Sequence, residues 1–282
     1  MTRGFGIIIL PLRQKKHTIM CETKEIAAKE IYLAGGCFWG TEHFFKQLEG
    51  VAETEVGFAN GNTERPTYKE VYTDQTGYAE TVRVCYVPSM VSLELLLRMF
   101  FKAIDPTSLN KQGHDEGTRY RTGIYYTEPA DLTTIEKVFA DEQRNYDQPI
   151  VVEIQPLKNF YPAEEYHQDY LDKNPDGYCH LPKSLFDYAR QIRRILRMEH
   201  LLNRTADTVR SLSVALSEYE CALEDVAELD KYYGSDEWRQ DLADDEAGKL
   251  PESLKRGVLS EDAVWQLLDD VRELNRRLNI KP

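Results

Sequence analysis

Ile31-Tyr32-Leu33-Ala34-Gly35-Gly36-Cys37-Phe38-Trp39-Gly40 is the stretch on which the reading of this chain turns. Four apolar-rich residues form a short strand, two glycines permit a sharp turn, and Phe38 to Leu48 continues in a helical pattern. Cys37 therefore stands between a strand end and a helix start. Unpaired backbone N–H groups and the positive end of the helix dipole both favour negative charge there. The thiolate is the nucleophilic form of cysteine, and flanking glycines let a substrate approach closely. The position predicts a reactive thiol, set against the alternative of a small buried filler.

Strands and helices alternate on either side of the Cys37 turn. Val51 to Val56 reads as a second strand. Ala79 to Tyr86 alternates cleanly, placing Glu80, Val82, Val84 and Tyr86 on one face. An acid thus shares a face with apolar residues. Ser92 can cap a helix through Ile104, a polar loop opens at Asp105-Pro106, and a strand is predicted over Tyr120 to Tyr126. A helix from Asp131 to Tyr146 and a strand from Ile150 to Ile154 follow. Half-solvated strands interspersed with helices predict an α+β domain: a two-layer mixed β-sheet with flanking helices, a ferredoxin-like sandwich.

Beyond Ile192 glycine and proline thin out. Val209, Leu212, Leu216, Tyr219, Leu223 and Val226 recur at helical spacing, as do Val264, Leu267, Val271, Leu274 and Leu278 behind a possible cap at Ser260. The acidic stretch Lys231 to Gly257 would connect two amphipathic helices into a C-terminal helical hairpin or small bundle. Trp238 and Trp265 are expected to fill its core. Three segments result: 1–28, a leader without fold of its own; 29–191, the mixed domain; and 192–282, an acidic helical domain. Met20 precedes the first patterned segment, so the residues before it could also reflect an overlong start.

A length of 282 residues agrees with about two domains. The net charge of −13 disfavours a grip on phosphate backbones, so nucleic acid is not an expected partner. No apolar run approaches the roughly 20 residues of a membrane span. Cys21, Cys37, Cys85, Cys179 and Cys221 are too scattered for a disulfide scaffold and form no CxxC pair, which suits a reducing, cytoplasmic setting.

Six segments in order resemble the peptide methionine sulfoxide reductase A family. Gly36-Cys37-Phe38-Trp39-Gly40 is similar to its active-site motif. Pro66-Thr67-Tyr68-Lys69-Glu70-Val71 resembles its tyrosine loop, and Thr76-Gly77-Tyr78-Ala79-Glu80 its catalytic-glutamate strand. Gly113 to Thr122 is similar to its substrate-binding segment, and Phe160 to Gln168 to its later aromatic and acidic motif. Asn174-Pro175-Asp176-Gly177-Tyr178-Cys179 resembles the segment bearing a recycling cysteine. These matches cover about residues 30 to 180, and the tail resembles an uncharacterised helical domain of bacterial proteins.

The resemblance implies reduction of methionine S-sulfoxide, free or in proteins, through a cysteine sulfenic acid. Removing the oxygen needs a soft nucleophile and an acid that stays protonated near neutral pH. Cys37 suits the first role, and Glu80, its pKa raised on an apolar face, suits the second. By resemblance Tyr68 and Tyr120 hydrogen-bond the sulfoxide oxygen, Phe38 and Trp39 hold the methyl group, and Asp115 binds the substrate backbone. Cys179 would condense with the sulfenic acid, and thioredoxin would reopen the Cys37–Cys179 disulfide. No cofactor is implied. The chain lacks the glycine-rich tail and further cysteine that many relatives carry after this position, so a single relay is expected.

Other residues receive plainer readings. Cys85 packs within its strand and Cys221 lies on a solvated helix face. His167 with Glu164 and Glu165 forms a polar cluster, and no metal is assigned. Glu42 reads as an exposed helix carboxylate. A thiol peroxidase, or a redox-regulated binding module that recruits partners through the acidic tail, remain the alternatives.

Overall fold

The computed structural model describes residues 18–21 and 24–278. The chain divides into two compact units, residues 1–201 and 202–282.

In the first unit β1 (Thr18–Cys21) and β2 (Lys24–Ala27) pair as an antiparallel hairpin. Part of the segment read as an unfolded leader is therefore paired backbone, and residues 1–17 lie outside the described residues. Then come β3 (Lys29–Gly35), α1 (Phe38–Lys46), β4 (Val51–Ala59), α2 (Tyr68–Val71), β5 (Ala79–Tyr86) and α3 (Leu93–Ala103). A small hairpin, β6 (Lys111–Gln112) and β7 (Asp115–Glu116), precedes β8 (Thr122–Tyr126), α4 (Leu132–Gln143), β9 (Glu153–Pro156) and β10 (Phe160–Pro162). The short α5 (Tyr170–Lys173) leads to α6 (Lys183–Tyr232), within which the division between units falls.

Six strands form one sheet in the order β10-β4-β5-β3-β8-β9. All neighbours are antiparallel except β8 and β9, which are parallel and joined by the crossover helix α4. The sheet is mixed, as its strand patterns predict. Alternation along β3 sends Ile31 and Leu33 into the main core with Phe44, Phe45, Leu96 and Phe100 of the helices, and Tyr32 and Ala34 into a smaller cluster with Ala59, Ala79 and Tyr125. The same alternation along β5 places Val82 and Val84 in the main core with Tyr86. Ser92 caps α3 as expected, its hydroxyl accepting the Leu95 N–H at 3.2 Å.

Two strands start later than their patterns predict. Thr118–Tyr120 is a 3₁₀ turn, so Tyr120 precedes β8 instead of opening it. Ile150 and Val151 stay outside the ladder because their N–H groups donate elsewhere, to Gln143 Oε1 at 2.9 Å and to the Pro106 carbonyl at 2.8 Å.

The second unit holds the rest of α6, α7 (Asp236–Glu246) and α8 (Glu261–Leu278). α7 lies inside the acidic stretch expected to be a connection. Ser235 starts it by accepting the Trp238 N–H at 3.1 Å, and Asp236 and Glu237 meet the positive end of its dipole. Trp238, Leu259, Val264 and Leu268 are buried, and the Trp238 indole donates to the Val258 carbonyl at 3.0 Å. Trp265 is instead 52% exposed. The inward face of α8 runs through Val264, Leu268 and Val271 to Asn275, which accepts the Tyr219 hydroxyl at 2.7 Å. Trp265 and Leu267 sit to either side of that stripe. On α6, Leu216, Tyr219, Leu223 and Val226 are half-buried, while Val209 and Leu212 face solvent.

Candidate active site

β3 ends at Gly35, and Gly36 turns the chain with a φ of +83, a conformation that suits glycine. A Cβ on Gly36 would lie 2.6 Å from Gln112 Cβ. Cys37 then occupies the cap position at the start of α1. Glu80 lies near the start of β5, beside the end of β3, and its Oε2 accepts the Phe38 N–H at 3.1 Å. This bond ties the acid to the residue after the thiol.

Cys37 and Glu80 are buried, at 5% and 1% exposure. A pocket of ≈ 270 Å³ opens over them. Phe38, Trp39, Tyr68, Tyr72, Asp115, Tyr120 and Tyr178 line it with them. α2 places Tyr68: Thr67 and Glu70 cap each other there, and the Tyr68 N–H donates to Glu164 Oε1 at 3.0 Å. Arg119 fixes the neighbourhood of Tyr120. Its Nη1 is 2.8 Å from Asp74 Oδ2, and its guanidinium lies 4.1 Å from the Tyr72 ring centre and 4.4 Å from that of Tyr120. The indole of Trp39 stacks on Tyr170 at 3.7 Å and donates to His167 Nδ1 at 3.2 Å.

Burial pushes the Glu80 carboxyl up to about 8; the Phe38 N–H and Arg119 act against it, and Asp115 adds to it. Glu80 is therefore mainly protonated at neutral pH. Burial, followed by Glu80 and Asp115, also raises the Cys37 thiol well above its ordinary range, although the Trp39 and Gly40 N–H groups pull it down. This corrects the expectation of a stabilised thiolate at rest: the helix start helps, but desolvation wins. Burial raises both Tyr68 and Tyr120, which keeps their hydroxyls as donors.

Seven of the eight residues singled out from sequence, Cys37, Phe38, Trp39, Tyr68, Glu80, Asp115 and Tyr120, line one pocket. Cys179 lies beside it, its Sγ 3.1 Å from the point where a Cβ on Gly40 would stand. Cys37 and Cys179 are free thiols, and burial raises Cys179. Glu42 is a correction: it is 2% exposed, accepts the Asp169 N–H at 2.9 Å and the Thr54 hydroxyl at 3.3 Å, and burial raises it to about 7. It faces inward because α1 is covered by β4 on one side and by the approach to α5 on the other. His167 is buried among the rings of Phe38, Tyr68 and Tyr166, whereas Glu165 pairs outside with Lys173. Cys85 is buried in β5 and Cys221 is exposed.

Sequence reading missed Tyr72, Arg119, Tyr178 and His180. One atom each from Cys37, Asp115 and His180 lies within 4.8 Å of the other two. By donor type this trio could take a soft divalent ion, but such an ion would occupy the sulfur lone pair that a nucleophile uses. His180 carried one signal in the sequence, its place directly after Cys179.

A buried thiol, a buried protonated acid and phenolic donors around a small aromatic pocket define a thiol-dependent oxidoreductase site. Residues 29–195 match the peptide methionine sulfoxide reductase family, and the chain belongs to it. The chain is similar to peptide methionine sulfoxide reductase MsrA of Clostridium acetobutylicum, 59% identical over 157 residues, 56% of this chain and 97% of that protein. The MsrA of Lachnoclostridium phytofermentans is 54% identical over 162 residues, covering 57% of this chain and 98% of that protein. Among solved structures, Mxr1 from Saccharomyces cerevisiae in reduced form is similar with a TM-score of 0.52 and 42% identity, covering 54% of this chain and 88% of that one. Methionine sulfoxide reductase A of Corynebacterium diphtheriae gives 0.50 and 38%, covering 54% and 77%. The protein is an oxidoreductase that uses thiols to reduce methionine sulfoxide. Residues 195–280 match a domain of unknown function, DUF4298. No helix among the described residues is long and apolar enough to cross a membrane.

Proposed function

We propose that the chain reduces the S epimer of methionine sulfoxide, free or in oxidised proteins, with Cys37 as nucleophile and Glu80 as acid. The observation that carries this reading is the bond from the Phe38 N–H to a fully buried carboxyl, whose pKa burial pushes up to about 8. The proton is held beside the thiol and is available at neutral pH. The sulfoxide oxygen accepts hydrogen bonds from Tyr68 and Tyr120, which polarises the S–O bond. Glu80 protonates that oxygen as the Cys37 sulfur attacks, and the proton that the thiol gives up restores the Glu80 carboxyl, so the thiol needs no standing negative charge at rest. The terminal methyl sits against Phe38 and Trp39 through sulfur–aromatic and dispersion contacts. Asp115 holds the substrate backbone.

Methionine leaves and Cys37 remains as a sulfenic acid. Cys179, in the loop between α5 and α6, displaces the hydroxyl to form a disulfide. An external dithiol of the thioredoxin type opens it by exchange. The scattered free cysteines suit the reducing cytoplasm. The helical unit is read as a separate acidic domain that does not enter the chemistry.

Separate incubation of each sulfoxide epimer with the protein and dithiothreitol tests the reading. The S form should be converted to methionine and the R form left intact. Conversion of the R form at a comparable rate would contradict the assignment.

A further inference from the structure

Cys179 is followed at once by His180, and both side chains come within 3.1 Å of the point where a Cβ on Gly40 would stand. Gly40 lies in the first turn of α1, three residues after Cys37. His180 also brings a ring nitrogen within 4.8 Å of Cys37 Sγ and of an Asp115 carboxylate oxygen. One imidazole therefore stands beside both thiols. Neither of its nitrogens makes a well-formed hydrogen bond, although the Gly35 carbonyl is near, and Asp115 Oδ2 is open as well. Open polar atoms inside a fold cost stability, and three together are unusual.

The charged and titratable groups around the ring are Asp115 from β7, Cys37 from the start of α1, and Cys179 with Tyr178 from its own loop. Burial holds His180 below the ordinary histidine value, with Asp115 acting against it. The imidazole is neutral at neutral pH and can accept a proton.

We propose that His180 is the proton carrier of the disulfide-forming half of the cycle. This rests on the reading of Cys179 as the recycling thiol. His180 takes the proton from the Cys179 thiol, and the resulting thiolate attacks the sulfur of the Cys37 sulfenic acid. The S–S bond forms, the S–O bond breaks, and its electron pair leaves with the oxygen. The imidazolium returns its proton to that oxygen, which departs as water. Cys179 is oxidised, the Cys37 sulfur is reduced, and His180 ends as it began. The same ring lies close to both sulfurs, the placement a carrier between them requires.

The test is a single turnover of His180→Gln on methionine sulfoxide without added reductant, with methionine and the Cys37–Cys179 disulfide followed over a range of pH. Methionine formation should slow far less than disulfide formation, and a thermal melt like the parent's shows that the variant is folded. The disulfide should form about 100-fold more slowly, with its pH dependence moved from the imidazole range to the thiol range. An unchanged disulfide rate overturns the proposal. So does equal slowing of both steps, or a slower disulfide that keeps the wild-type pH profile. Cys179→Ser, run in parallel, separates the two readings. If it still forms an intramolecular disulfide at Cys37, the assignment of Cys179 fails and His180 loses its role with it.

Discussion

The sheet unit and the helical unit bury different things. In the first, a carboxyl and a thiol lie side by side in the interior, Glu80 and Cys37, roofed by aromatic rings. In the second, the buried side chains among the described residues are Trp238, Leu259, Val264 and Leu268, all apolar-bodied, and most of α6 and α8 faces solvent. Burying an ionisable group is costly, and only a large core can carry that cost. The difference teaches that chemistry is built where the fold can hold strained protonation states, and that a thin helical core leaves charge in water.

The sharpest way to break this contrast is to remove the thiol. Cys37→Ser should abolish methionine formation from the sulfoxide, measured with dithiothreitol in excess; surviving turnover would place the chemistry elsewhere. Glu80→Gln keeps size and loses the proton, so single-turnover methionine formation should fall by about 10²–10⁴-fold. In the unaltered chain that rate should decline as pH rises through about 8, the value to which burial pushes the Glu80 carboxyl. The Gln variant should lack this limb. Stability follows the same sign. A carboxyl raised in the folded state binds protons more tightly there than in the unfolded chain, so its contribution is fullest below the ordinary carboxylate value and is lost as pH rises through about 8. Urea melts across that interval should show the decline in the parent and not in Glu80→Gln.

Smaller effects sharpen the comparison. Tyr68→Phe and Tyr120→Phe each remove one of the donors proposed for the sulfoxide oxygen, and each should slow single turnover about fivefold, since one hydrogen bond contributes about 1 kcal/mol. Trp238→Ala should destabilise the helical unit by about 3–5 kcal/mol, read from a helical melting transition. Its reductase rate on free methionine sulfoxide should stay at the parent value. A matching loss of activity would show that the helical unit supports the site.

Much of this was legible before the structure. The Gly-Gly turn marks Cys37 because few residues other than glycine accept the geometry of Gly36, and the alternation of β5 places Glu80 on an apolar face. The protonation state of Cys37 was not legible, because it depends on how completely rings and carboxyls from distant segments close over the thiol. Glu42 misled for a related reason: a helix pattern shows which residues share a face, but not that a second layer covers that face. On α8 the stripe through Leu268 and the one through Leu267 differ by a single step of the helical wheel, and only packing against Tyr219 separates them. Arg119 and His180 act across the fold, with no periodicity to announce them.

The measurement that bears most directly on the chemistry is the mass of Cys37 after one turnover. In Cys179→Ser, treated with methionine S-sulfoxide and a sulfenic-acid trap, peptide mass spectrometry should find the trap on Cys37 in step with the methionine formed. Methionine accumulating while Cys37 stays an unmodified thiol would contradict oxygen transfer to this sulfur.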